Sequence, residues 1–121
     1  MTELEHVNVT VADAEATAKM LCDLFGWRVR WSGPARDNGY TFHVGSDTSY
    51  VAVYSLPEGQ TPPRGPDRLN HIGVVVDDLD AAEAKVKALG YDTHSHGDYE
   101  PGRRFYFDEE NGIEIEVVSY R

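Results

Sequence analysis

The chain repeats itself, and that repeat restricts its fold more than any other feature. Leu4-Glu5-His6-Val7-Asn8-Val9-Thr10-Val11-Ala12-Asp13 lies over Leu69-Asn70-His71-Ile72-Gly73-Val74-Val75-Val76-Asp77-Asp78, an offset of 65 residues from His6 to His71. Leu, His, two Val and Asp are identical at matching places. Further on the offset becomes 64, and Tyr50-Val51-Ala52-Val53-Tyr54 lies over Glu114-Ile115-Glu116-Val117-Val118. Two β-rich stretches can resemble each other by chance. Chance does not explain why the order of elements also agrees.

Each half reads strand, helix, three strands. His6 to Val11 alternates polar and branched apolar residues, which predicts a half-buried strand. Asp13 then caps a helix with Glu15 in its first turn, Ala14, Thr17, Leu21 and Leu24 form its apolar stripe, and Gly26 closes it. Asp78 opens the second helix in the same way, with Leu79, Ala82, Val86 and Leu89 as the stripe and Gly90 at the end. The other strands are expected at 27–31, 40–44 and 49–55 in the first half and at 91–96, 103–108 and 113–119 in the second. Asn38-Gly39, Gly45-Ser46-Asp47 and Asn111-Gly112 supply turns. Pro57, Pro62, Pro63 and Pro66 mark a linker over 57–68, between modules spanning 1–56 and 69–121. With 121 residues in all, the two modules together make one domain.

Side chains alternate faces along a strand. Val7, Val9 and Val11 face the helices, so His6, Asn8 and Thr10 point the other way. Ile72, Val74 and Val76 do the same in the matching strand and turn His71 outward. Ile113, Ile115 and Val117 leave Glu114, Glu116 and Val118 on the outer face, and Tyr50, Ala52 and Tyr54 are their equivalents. If the modules pair, these faces line one concave sheet where two imidazoles and a carboxylate meet. His6, His71 and Glu116 then form a set suited to one divalent transition metal (Fe, Mn, Co, Ni or Zn), with positions left for substrate or water. Glu114 shares the face of Glu116 and is expected nearer the rim.

These motifs resemble the vicinal oxygen chelate superfamily, which includes glyoxalase I, bleomycin-resistance proteins, fosfomycin-resistance enzymes and extradiol dioxygenases. The opening motif is Leu4 to Val11 with Asp13, the second module starts at Leu69-Asn70-His71-Ile72, and the closing motif runs from Phe105-Tyr106-Phe107-Asp108 through Asn111-Gly112 to Val117. The resemblance implies an α+β fold of two βαβββ modules forming a cup-shaped curved sheet. It places metal ligands at His6, Ala52, His71 and Glu116. Ala52 has no donor atom, so the set departs from four-ligand glyoxalase I. Three ligands are similar to those of the dioxygenases and fosfomycin-resistance enzymes. The latter carry a substrate-contacting tyrosine at the position of Tyr106. The family also commonly forms homodimers, which sets that expectation here.

Other residues complete the expected site. Tyr106 is the candidate catalytic proton donor or oxyanion partner. Asn8 lies on the cup face, Phe42, Tyr50 and Tyr54 suggest an aromatic wall, and Arg104, with Arg103 beside it, is placed to clamp a substrate carboxylate. His43, His94 and His96 are spare bases, the last two in a loop-like stretch with Gly97 and Asp98. Cys22 reads as a buried or half-buried helix thiol. The function expected is a metal-dependent enzyme on a small oxygenated molecule, by isomerisation, lyase chemistry, thiol or water addition, or ring-cleaving oxygenation. The alternative is a metal-free binder that sequesters a drug or metabolite, for which Trp27 and Trp31 add aromatic surface. A net charge of −10 argues against nucleic acid and anionic lipid as partners. The single cysteine rules out a disulfide within one chain, and no secretory leader or membrane-length apolar run is evident, so a soluble cytoplasmic protein is expected.

Overall fold

A computed structural model of the chain describes residues 2–62, 65–99, 102–110 and 112–121, and the backbone alone at Pro66 and Asp67. Pro63 of the expected linker and Asn111 of the expected last turn lie outside the described residues. The elements run β1 (Glu3–Val11), α1 (Ala14–Phe25), β2 (Arg28–Pro34), β3 (Tyr40–Gly45), β4 (Tyr50–Ser55), β5 (Leu69–Val75), α2 (Leu79–Ala88), β6 (Thr93–Tyr99), β7 (Gly102–Asp108) and β8 (Glu114–Ser119). Short 3-10 helices occupy Arg36–Asn38 and Gly65–Arg68. Both halves therefore show strand, helix, three strands. The stretch Gly97–Tyr99, expected as loop, instead continues β6.

Contacts divide the chain into two compact units, an N-terminal one of His6–Asn70 and a C-terminal one of Met1–Glu5 with His71–Arg121. In the first, the strands lie in the order β2-β3-β4-β1. β1 and β4 are parallel, with His6 opposite Tyr50 and Asn8 opposite Ala52, and the other pairs are antiparallel. In the second, the order is β5-β8-β7-β6. β5 and β8 are parallel, with Gly73 opposite Glu116, and again the rest are antiparallel. The first and last strands of each module are thus neighbours, which brings the two halves of each repeated motif side by side.

The helices start and stop where their caps dictate. The Asp13 carboxylate accepts the Ala16 N–H at 3.1 Å, and Asp78 accepts the Ala81 N–H at 3.0 Å. Gly26 closes α1 at φ 69°, a left-handed conformation that favours glycine. Ala14 and Ala18 bury α1 against Val44 and Val53, with Val11, Leu21, Cys22, Phe42 and Val51 around them. Leu79 of α2 packs with Phe105 and Val117, flanked by Val76, Ala82, Val86, Phe107 and Ile115.

Two stripe positions do not join these cores. Leu24 is 66% exposed and Leu89 is 78% exposed. Leu24 stands about a third of a turn round the helix from Ala18, and Leu89 follows the last residue of α2 as its cap. At the end of the C-terminal unit, the Tyr120 hydroxyl donates to Glu5 Oε2 at 2.7 Å. Burial and the Glu5 carboxylate push its phenol well above the ordinary value.

Phe105 has no exposed surface. Phe105→Ala is expected to lower stability by about 3–5 kcal/mol, and Leu24→Ala to change it by less than about 0.5 kcal/mol. Urea midpoints test both, and equal losses would contradict the packing described. The folded chain also holds the Tyr120 proton more tightly than the unfolded chain does. That contribution is whole below about pH 10 and falls away as pH rises further. Tyr120→Phe, which has no such proton, should show a shallower decline of stability between about pH 9 and about pH 11.

Candidate metal centre

The C-terminal unit presents a buried acid between two bases. β5 carries His71 and its parallel neighbour β8 carries Glu116, and both residues are buried. His71 Nε2 lies 3.1 Å from Glu116 Oε1. On the far side, Arg104 Nη1 donates to Glu116 Oε2 at 2.8 Å. Arg104 is on β7, where Tyr106 is the register partner of Glu116, so it reaches the acid on the diagonal of one face. Burial works against the guanidinium charge, but Glu116 and the nearby tyrosines outweigh it and raise its pKa above the ordinary value. Glu114 Oε1 faces His71 Nδ1 at 4.0 Å. Its side chain is 26% exposed, against 4% for Glu116, so Glu116 is the deeper acid.

Tyr106 stands edge-on to the His71 ring, centroids 5.6 Å apart, and is itself buried. Arg104, expected to meet a substrate carboxylate, meets the protein's own carboxylate. Arg103 pairs with Asp80 Oδ1 at 3.1 Å on the surface. His96 binds Glu83 Oε2 at 2.6 Å. His94 stays beside Tyr106, ring centroids 6.3 Å apart.

In the N-terminal unit a row of rings crosses the sheet. His6 on β1 is buried and stacks on Tyr50 of β4, centroids 4.7 Å and planes 17° apart. Tyr50 stacks in turn with His43 of β3 at 4.4 Å, and His43 meets Trp31 of β2 at 5.1 Å. The Arg30 guanidinium lies over Tyr50, 4.7 Å from the ring centre. A bulge between Val29 and Trp31 lets these consecutive residues serve one face. Asn8 belongs to β1 as well, and its Oδ1 is buried with no hydrogen-bond partner. Few buried acceptors are left so, and a ligand group is one way to satisfy it.

The aromatic wall differs from the one expected. Tyr54 is buried, and its hydroxyl donates to the Arg36 carbonyl at 2.8 Å. Phe42 is the register partner of Val53 and packs under α1, while His43 is the partner of Ala52 on the opposite face. Alternation from Tyr40 onward, with partners on one face, carries that signal. No sequence pattern announces the β2 bulge that adds Arg30 and Trp31. Cys22 is half-buried beside the α1 core.

A divalent ion bound at about 2.0–2.2 Å by nitrogen and oxygen sets neighbouring ligand atoms about 3 Å apart. The His71–Glu116 separation fits that spacing, and both donors suit a transition metal.

No protein of curated function matches the sequence. Solved structures do. Methylmalonyl-CoA epimerase from Mycobacterium tuberculosis is similar, with a TM-score of 0.79 and 17% identity over 96% of this chain and 86% of that one. A hypothetical protein from Bacillus halodurans C-125 gives 0.78 at 10% identity, over 98% and 94%. The Q60A variant of Streptomyces coelicolor methylmalonyl-CoA epimerase, in complex with 2-nitronate-propionyl-CoA, gives 0.74 at 15% identity, over 98% and 97%. At such identities these likenesses concern the fold. A family model matches residues 3–117, nearly the whole chain, and by that match the protein belongs to the Glyoxalase/Bleomycin resistance protein/Dioxygenase superfamily.

Proposed function

We propose that this chain is a divalent-metal-dependent enzyme whose substrate chelates the ion through neighbouring oxygens. We propose further that it moves a proton at the carbon beside a carbonyl, an isomerase reaction. The buried His71–Glu116 pair, 3.1 Å apart, carries the reading. His6 is the third ligand in this proposal, because it holds in the first repeat the place that His71 holds in the second. The similar structures named as epimerases favour isomerisation over lyase, addition or ring-cleaving chemistry. A homodimer in the cytoplasm is part of the same proposal.

When bound, the ion supplies a Lewis acid toward the substrate's oxygens. Arg104 holds Glu116 by one oxygen and leaves the other directed at His71. Tyr106, beside His71, hydrogen-bonds the oxygen on which negative charge develops. Asn8 Oδ1 accepts from a substrate hydroxyl or amide. On the N-terminal unit, Tyr50, His43 and Trp31 offer a flat wall, and Arg30 a positive charge, to a bound molecule.

Purified protein is expected to hold Mn, Fe, Co, Ni or Zn near one equivalent at this centre, lost in His71→Ala. In D2O, metal-loaded protein should introduce deuterium beside the carbonyl of methylmalonyl-CoA or a 2-oxoaldehyde–thiol adduct. Tyr106→Phe should lower the exchange rate by about 10²–10³-fold with metal content unchanged. Loaded protein that exchanges neither class of substrate would sink the isomerase reading.

A second reading, a metal-free binder of the bleomycin-resistance type, draws on one observation. Both oxygens of Glu116 already have nitrogen partners, so its charge is satisfied by protein alone. Elemental analysis separates the two readings, and so does stability. Arg104→Met should cost about 3–5 kcal/mol in stripped protein by leaving a buried carboxylate short of its cation. The loss should be clearly smaller in Zn2+-loaded protein, where the ion replaces that charge. Urea midpoints that fall equally with and without Zn2+ would favour the metal-free binder.

A further inference from the structure

The last three strands of the C-terminal unit hold a second group of donors that the proposed chemistry does not use. We infer that His94, Asp108 and Glu114 form an additional divalent-cation site. One donor atom from each, on β6, β7 and β8, lies within 4.8 Å of the others. His94 Nε2 stands 3.5 Å from Asp108 Oδ2. That nitrogen is closed off from solvent and has no hydrogen-bond partner, although the rest of the ring is partly exposed. A ring nitrogen closed off from solvent and making no hydrogen bond needs an explanation, and a bound ion supplies one.

The rest of the geometry agrees. The other ring nitrogen, Nδ1, lies 2.9 Å from Ser95 Oγ. With Nδ1–H donating to that hydroxyl oxygen, the ring presents a lone pair at Nε2, as a metal-binding imidazole does. Ser95 adopts φ 54° inside the bulge between His94 and Gly97, and the bulge re-aims this part of β6. Among the described residues, the charged partners of Asp108 and Glu114 are histidines alone. Two carboxylates and one imidazole neutralise a divalent ion and suit Mn2+ or Zn2+.

The site shares no donor with the His71–Glu116 pair, yet it adjoins that pair through Glu114, whose carboxylate faces His71 Nδ1 at 4.0 Å. An ion here holds Glu114 in place and with it one side of the His71 ring.

Metal-stripped full-length protein is titrated with Mn2+, and the free ion is counted by electron paramagnetic resonance. Circular dichroism checks the fold of each variant. Wild type is expected to bind two equivalents per chain, and His94→Ala and the isosteric Asp108→Asn one each. A single wild-type equivalent that His94→Ala removes and His71→Ala leaves in place would also support this site, while counting against the centre at His71. Binding that neither His94→Ala nor Asp108→Asn reduces, or no binding at all, overturns the inference.

Discussion

A carboxylate with almost no access to water must be answered by positive charge or by hydrogen bonds, and Glu116 is answered by both. Arg104 takes one oxygen and His71 faces the other. Three strands must keep register for this to happen, because β5 supplies the imidazole, β8 the acid and β7 the guanidinium. A one-residue slip in any of them would turn its contribution to the other face and strand the acid. The candidate centre and the order of the C-terminal sheet are therefore one requirement. The Phe105–Val117–Leu79 core on the opposite face holds that register from behind.

Much of the architecture was legible because it depends on local rules applied twice. Asp13 and Asp78 announce their helices by capping chemistry, and Gly26 ends one for want of a Cβ. The strand faces of His71, Glu114 and Glu116 follow from a period of two. Local rules failed where pairing decided the outcome. The sequence alone offers Phe42 as a wall residue, and its partner, Val53, sets it on the helix side. Arg104 could be placed on a strand, but not diagonally across from its acid, without knowing that β7 and β8 run antiparallel in this register. Leu24 fell off the core because the alanines, smaller and less hydrophobic, define the buried face of α1. The bulges in β2 and β6 break the very alternation on which the reading relies.

The two modules have also diverged in an orderly way. Glu116 in the second has Ala52 as its counterpart in the first, so the acid and its guanidinium occur once. In its place the N-terminal sheet builds a row of rings from His6 to Trp31. One copy supplies buried charge and the other supplies flat, polarisable surface. That division of labour arises readily after duplication, since either copy can lose a donor while the other retains it.

The bulge in β2 has a consequence for how such a protein changes over time. β2 lies at the end of its sheet, bonded to β3 alone among the strands of that unit. Gain or loss of one amino acid there trades Arg30 and Trp31 for whatever follows, and leaves β1, β5 and β8 undisturbed. A lineage can thus vary this ring surface by indels in a peripheral segment, with the strands that carry His6, His71 and Glu116 kept intact.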